Sequence, residues 1–292
     1  MDELSKQQPL SDGIPTQQQS RQPGLETEMD PKPIFEVESH VGSGKLKDRV
    51  ALITGGDSGI GKAVAIGYAK EGAHVAIAYL DEHEDAKNTK QRIEQEGVKC
   101  TLHPGDIGDE KFCEELVEDV VNQHGKLDIL VNNAARQEVK QNIREISPEQ
   151  LRRTFDVNFF SMFYLTQAAI PHLKTGSSII NTASINAYVG NKQLVDYTST
   201  KGAIVAFTRS MAKELAADGI RVNGVAPGPI WTPLIPATIP EDQISEFGAN
   251  TPLGRPGQPA DHVGSYILLA SDEGAYMTGQ FVHINGGMFT SS

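Results

Sequence analysis

Residues 49–61 read RVALITGGDSGIG, and the fold turns on how the last eight of them, Thr54–Gly61, are understood. A short, mostly apolar run, 49–54, stops at a cluster of glycines and then gives way to a stretch with helical spacing, 59–71. A buried strand, a turn and a helix follow one another in this pattern. Gly55, Gly59 and Gly61 fall in the turn. Glycines there permit a tight reversal, close backbone approach to a pyrophosphate and close packing of the helix on the strand, while the free N–H groups of the helix start attract phosphate. Asp57, Ser58 and Ile60 share that loop. Taken alone the glycines could mark nothing more than a flexible loop; the strand before and the helix after make them a candidate phosphate cradle.

Working outward, the same texture repeats about every 25 to 30 residues, as βαβ units do. Further strands are expected at 74–79, 99–104, 127–133, 177–183, 220–226 and 280–286, and helices at 109–124, 148–173 and 195–217. Several strands are apolar on both faces, which a parallel sheet covered by helices requires. The expectation is a doubly wound α/β domain with a seven-stranded parallel sheet, spanning residues 46–292. Residues 1–45 stand apart. Rich in Gln, Pro, Ser and Gly, with few large apolar side chains, they read as a disordered or extended tail.

The chain has 292 residues, 38% of them hydrophobic, enough for one full core. A formal net charge of −12 argues against nucleic acid or an anionic membrane as a partner, because the long-range field repels phosphate. Two cysteines, Cys100 and Cys113, are too few for a disulfide framework and fit a reducing, cytoplasmic setting. No apolar run approaches a membrane span, and the N-terminal residues are acidic and glutamine-rich where a secretory signal would be basic and then apolar. The eight histidines show neither HExxH nor Cys/His spacing, so no metal is expected.

A second stretch carries chemistry: DYTSTKGA, 196–203, sets Tyr197 and Lys201 one helical turn apart with small residues between them. Such a pair on a surface helix is often only a solvated contact. Here Ser184 lies thirteen positions earlier, at the end of an expected strand. A phenol with a pKa of about 10 is a weak base at neutral pH, but a nearby ammonium favours the phenolate.

Taken together, TGxxxGxG at Thr54–Gly61, NNAA at 132–135, Asn158, Ser184, the YxxxK of Tyr197 and Lys201, and the dipeptide Pro227–Gly228 resemble the short-chain dehydrogenases/reductases in their compact, single-domain branch. The likeness runs from about Lys45 to about Met288, with Ala135 where the family usually has glycine. Within the family, the wording of the glycine loop and the long N-terminal segment look most similar to bacterial general-stress oxidoreductases and plant glucose and ribitol dehydrogenase-like proteins. The resemblance implies a Rossmann fold and hydride transfer between a nicotinamide and an alcohol or carbonyl carbon, with Tyr197 as general acid/base. It implies that Ser184 stabilises the substrate oxygen, that Lys201 reaches the nicotinamide ribose, and that Asn158 positions a proton-relay water. Asp106, with Ile107 beside it, is carried over as an adenine contact, Asn132 and Ala134 as cofactor wall, and Pro227, Gly228, Ile230 and Thr232 as the nicotinamide side. Read without the family, Asn158 could be a structural hydrogen-bonding residue and Asp106 a loop or cap carboxylate.

NAD recognition places an acid on the ribose 2′-hydroxyl, and NADP recognition places a cation on the 2′-phosphate. Asp81 falls twenty residues after Gly61, where an NAD-selecting acid belongs, and the glycine loop lacks Arg or Lys. Tyr79 and Leu80, however, occupy the strand end where that acid most often lies. The expectation is NAD preferred, with NADP also used. For the substrate, Asn186, Tyr188, Gln193, Trp231, Arg136 and Gln137 suggest a polar and aromatic lining suited to a small hydroxylated or carbonyl compound, polyols and sugars included. Two other classes stay open: a non-catalytic dinucleotide-binding stress or regulatory protein, and an enzyme acting on a nucleotide-linked substrate. The second usually has a larger C-terminal domain than this chain offers. The apolar faces of 148–173 and 195–217, helices that pair between subunits in the family, point to a homotetramer.

Overall fold

The computed structural model describes residues 13–37 and 39–290. Seven strands form one parallel sheet: β1 (Val50–Thr54), β2 (His74–Tyr79), β3 (Cys100–Pro104), β4 (Ile129–Asn132), β5 (Ser178–Thr182), β6 (Arg221–Pro227) and β7 (Phe281–Ile284), in the order β3-β2-β1-β4-β5-β6-β7. The order reverses between β1 and β4, paired in register Ala51↔Ile129 to Ile53↔Val131, and a ligand crevice opens beyond the carboxyl ends of the strands at such a switch point. Alternation along β1 divides the core. Ala51 and Ile53 face one layer with α1 (Gly59–Lys70), α2 (His83–Glu94) and α9 (Val263–Ala270). Val50 and Leu52 face the other, with α3 (Glu110–His124) and α5 (Ser161–Ala169). Both faces of the sheet are therefore dry, as its apolar runs require.

The helix expected at 148–173 is interrupted. Pro148–Phe155 (α4), whose N-cap Ser147 accepts from the Gln150 N–H, passes into a π-helical turn at Asp156–Phe160 before α5. Such turns insert an extra residue into the hydrogen-bond ladder and occur often at functional sites; Asn158 lies in this one. Beyond β5 come a short helix, α6 (Asn186–Val189), and the long α7 (Val195–Glu214) that carries Tyr197 and Lys201. A four-residue helix, α8 (Glu241–Ile244), sits in the loop after β6.

The N-terminal segment differs from the expected tail. Its first twelve residues lie outside the described residues; from Gly13 onward the chain is mostly irregular but is laid against the domain. Ile14 and Met29 are buried with Trp231, Ile235 and Ile244 in a small core of their own. Composition misleads here because the anchoring is largely polar: the Trp231 Nε1–H donates to the Pro31 carbonyl at 2.9 Å, and Ile34 exchanges hydrogen bonds with Gln258 and Ala260. Few apolar side chains are needed when backbone groups are satisfied this way.

Candidate active site

The glycine loop closes as its residues demand. Gly55 and Gly59 hold φ of 62° and 53°, left-handed values that side chains disfavour, and a Cβ on Gly61 would lie 1.9 Å from the Gly55 carbonyl oxygen. Thr54, ending β1, ties this loop to the one after β4: its Oγ1 accepts from the N–H groups of Asn133 and Ala134 at 2.9 and 3.1 Å. Asn133 returns its side-chain amide to the carbonyls of Thr54 and Gly55. Ala135 has an ordinary backbone, since the only non-glycine residue with positive φ among the described residues is Asp48.

Beyond the strand ends lies a cavity of about 1080 Å³. Gly55, Asp57, Ser58, Gly59 and Ile60 line one part of it, Tyr79 and Leu80 the rim at the end of β2, and Asp106 and Ile107 the loop after β3. Ala134, Ser184, Tyr197, Lys201, Pro227, Gly228, Ile230 and Thr232 line the rest. Gly61 shapes the loop from behind. Asp106 is fixed by Arg153 at 2.9 Å and by the Gly108 N–H, which makes it a braced wall residue rather than a helix cap.

Tyr197, Lys201 and Ser184 are brought together and buried. Burial pushes the Tyr197 phenol up to about 12, and the Ser184 hydroxyl pulls the other way. The Lys201 Nζ lies 5.4 Å from the centre of the Tyr197 ring and donates to the Thr182 carbonyl at 2.8 Å. Burial lowers its ammonium to about 7. In the chain by itself burial is the larger influence on Tyr197; the expectation that Lys201 and an oxidised nicotinamide together favour the phenolate concerns the loaded site. Asn158 is fully buried beneath this site. Its Oδ1 accepts from the Arg136 N–H at 2.7 Å, and its Nδ2 donates to the Arg136 carbonyl and to Thr200. It supports the cavity wall from outside the cavity lining.

Other sequence expectations shift by one position. Asn132 does not line the cavity; its Nδ2 donates to Asn181 inside the sheet, while Asn133 takes the wall. Asp81 turns outward, more than half exposed and ion-paired with Arg21, and Glu82 lines the cavity instead. Glu82 is buried, and its Oε1 has no hydrogen-bond partner among the described residues. Burial raises its carboxyl, and burial together with Glu82 pushes Asp57 up to about 7. Of the lining expected for a substrate, Asn186, Gln193, Arg136 and Gln137 are present. Trp231 is instead fully buried in the small core, and Tyr188 packs on His283 and Phe289. Gln22, Pro23 and Gly24 of the N-terminal segment also line the cavity, a contribution that the composition of that segment conceals.

A glycine loop at the switch point, an acid with an orphaned oxygen at the end of β2, and a buried Ser-Tyr-Lys group at the far end of one cavity define a short-chain dehydrogenase/reductase. Comparison bears this out: a family model described as enoyl-(acyl carrier protein) reductase matches residues 55–289, and the chain belongs to the short-chain dehydrogenase/reductase family. It is 64% identical over 279 residues to general stress protein 39 of Bacillus subtilis, covering 96% of this chain and 98% of that one. It is 50% identical to NADPH-dependent aldehyde reductase 1 of Arabidopsis thaliana, over 93% of this chain and 96% of that one. The glucose and ribitol dehydrogenase homolog of Oryza sativa is 47% identical, over 96% and 99% respectively. Among solved structures, a blue fluorescent protein from a metagenomic library in complex with NADPH superposes with a TM-score of 0.79 at 30% identity, over 84% of this chain and all of that one. A 3-ketoacyl-(acyl-carrier-protein) reductase from Brucella melitensis complexed with NADH gives 0.76 at 33%, over 83% and 98%.

Among the described residues no cluster of His, Cys, Asp and Glu is arranged to hold a metal ion, and no helix is long and apolar enough to cross a membrane. Cys100 and Cys113 are free and buried, and burial pushes both thiols up to about 12.

Proposed function

We propose that this chain is an NAD(P)-dependent oxidoreductase acting on small alcohols or carbonyl compounds, with Tyr197 as general acid/base. The observation that carries the reading is that the buried side chains of Ser184, Tyr197 and Lys201 line the same cavity as the glycine loop. A nicotinamide dinucleotide fits the residues present. The Gly55–Gly61 loop would cradle its phosphates, Asp106 and Ile107 would flank its adenine, and Pro227, Gly228, Ile230 and Thr232 would face its nicotinamide. When bound, that ring supplies or accepts the hydride.

The chain's own residues manage the proton. Tyr197 is protonated at neutral pH and so is ready to donate to a carbonyl oxygen, while the Ser184 hydroxyl holds that oxygen in place. Lys201, near its own midpoint at neutral pH, stands one turn behind. Asn158 keeps the Arg136 backbone and the Thr200 side of α7 at a fixed spacing. Support for NAD as the preferred cofactor, with NADP also used, comes from Glu82 and Asp57, two acids at the adenosine end that favour a ribose hydroxyl over a phosphate. The polar lining of Arg136, Gln137, Asn186 and Gln193 suits polyols, sugars and small aldehydes, and two plant relatives carry such compounds in their names.

Following the absorbance of the reduced nicotinamide across polyols, sugars, aldehydes and simple ketones tests the reading. Turnover confined to bulky apolar carbonyls would remove the substrate class, and a much higher kcat/KM with NADP would remove the cofactor preference. Leu151, Phe160 and Phe163, exposed along the 148–173 segment, support assembly as a homotetramer. Light scattering that returned one chain's mass would contradict it. Two unpaired buried thiols suit the reducing conditions of the cytoplasm.

A further inference from the structure

The N-terminal segment lines part of the cavity through Gln22, Pro23 and Gly24 and is fastened on both sides. On one side the Gln19 N–H donates to the Pro236 carbonyl at 2.8 Å, and a Cβ on Gly24 would lie 2.4 Å from the Pro233 carbonyl oxygen, so the strand of chain lies flush on the loop after β6. On the other side Gln22 makes a two-way bond with the Gln137 backbone, 2.8 Å through its amide and 3.0 Å through its oxygen. These ties leave Arg21 little choice of position. Its Nε donates to the Pro23 carbonyl at 2.9 Å, and its Nη2 meets the Asp81 carboxylate and stands 3.6 Å from Glu82 Oε1.

Among the described residues Glu82 Oε1 is a buried acceptor with no hydrogen-bond partner. An acid at this place in the fold accepts from the ribose 2′-hydroxyl, and a cation at the same place accommodates a 2′-phosphate. Here both are present, the acid from the turn after β2 and the cation from the N-terminal segment. Arg21 is the one cation ion-paired with either Asp81 or Glu82 among the described residues, and its planar fork suits a phosphate.

Resting on the nicotinamide dinucleotide reading above, we propose that Arg21 is a cofactor-specificity residue: the N-terminal segment carries it to the adenosine ribose, where it gives the site its capacity for a 2′-phosphate. Glu82 takes the hydroxyl of NAD. Arg21, at present paired with Asp81, turns to the phosphate of NADP. The N-terminal segment is then a wall of the cofactor site and not an appendage to it.

Titration calorimetry of the full chain with NADH, NADPH, 5′-AMP and adenosine 2′,5′-bisphosphate tests the proposal without turnover. R21A is expected to weaken NADPH and the bisphosphate about tenfold, the effect of one partly exposed charge-assisted contact, while NADH and 5′-AMP stay within about threefold. R21K, which keeps the charge and loses the fork, falls between. D81N releases Arg21 from its partner and is expected to tighten NADPH several-fold without tightening NADH. Equal changes for both cofactors in R21A, or no gain for NADPH in D81N, overturn the role of Arg21 while leaving the dinucleotide reading intact. Should R21A fail to show wild-type melting, D81N decides alone. A wild-type chain that binds neither dinucleotide overturns the dinucleotide reading and this inference with it.

Discussion

Replacing Glu26 by alanine probes whether the N-terminal segment is structurally part of the site. Glu26 and Lys62 are 5% and 8% exposed, and the carboxylate holds Lys62 Nζ at 2.5 Å and the Gly59 N–H at 3.0 Å. The segment is thereby bolted to the first turn of α1, behind the glycine loop. Its own backbone N–H is taken by Asp85 at 2.7 Å, so the side chain is the only part the substitution removes. Stranding one charge of a buried pair costs about 3 to 5 kcal/mol. The Phe35 ring, 4.0 Å from Lys62 Nζ, faces it in both proteins and leaves the stranded ammonium partly compensated, so the low end of that range applies. The net loss is about 3 kcal/mol, which for a chain of this size lowers Tm by about 6 °C. A double-mutant cycle in urea separates the pair from the packing. K62M in the E26A background should restore most of the loss, with a coupling of about 2 kcal/mol. A loss below about 0.5 kcal/mol for E26A, or a K62M effect that is the same in both backgrounds, would refute the bolted arrangement.

Three further outcomes follow from the site. Y197F should reduce turnover by about 10² to 10⁴ while Tm and dinucleotide binding hold, and steady-state kinetics with an established substrate will check it; undiminished turnover would return the non-catalytic reading. G61A forces a methyl group to within 1.9 Å of the Gly55 carbonyl, so the loop must open, and calorimetry should show dinucleotide binding weakened about tenfold or more. His262, fully buried with Nε2 unpartnered, is lowered to about 4 by burial. Between pH 4 and the ordinary value of 6.5 the unfolded chain therefore binds more protons than the native one, and stability from this residue is lost as pH falls through that window. Asp57 works in the opposite sense, its carboxyl being raised to about 7, so the wild-type curve alone mixes the two. The difference between wild type and H262Q isolates the histidine: denaturation at a series of pH values should show the variant relatively better off toward pH 4 by up to about 3 kcal/mol, and a constant difference across the window would exclude the titration.

The sheet was legible because each strand must be apolar on both faces. The β2 run HVAIAY, 74–79, could be placed to the residue, and β1 to within one. Ser184, Tyr197, Lys201 and the glycine loop were legible for a different reason: each depends on a short spacing within one element or at its end. Where chemistry lay just past a strand end, the reading slipped by one. Alternation fixes which way a side chain points only while the strand lasts, and nothing in YLDE, 79–82, says that Asp81 turns out and Glu82 turns in. Asn132 and Asn133 were exchanged for the same reason at the end of β4.

The N-terminal segment was misread through a sounder-looking rule, that a chain poor in apolar side chains cannot offset the entropy of ordering. That rule assumes the chain must build its own core. Residues 13–37 instead borrow one: Met29 and Ile14 complete a cluster whose bulk comes from Trp231, Ile235 and Ile244, and the remaining ties are polar, such as the Trp231 Nε1–H on the Pro31 carbonyl, the Gln22 amide on the Gln137 carbonyl and the ion pair of Glu26 with Lys62. Such contacts leave no periodic trace, because each pairs residues far apart in sequence and several have main chain as one partner. The loop after β6 gains as much as the segment does. Trp231 could not stay fully buried without Pro31 to accept its N–H. Segment and loop are therefore packed as a single structural unit against the cavity that both help to line.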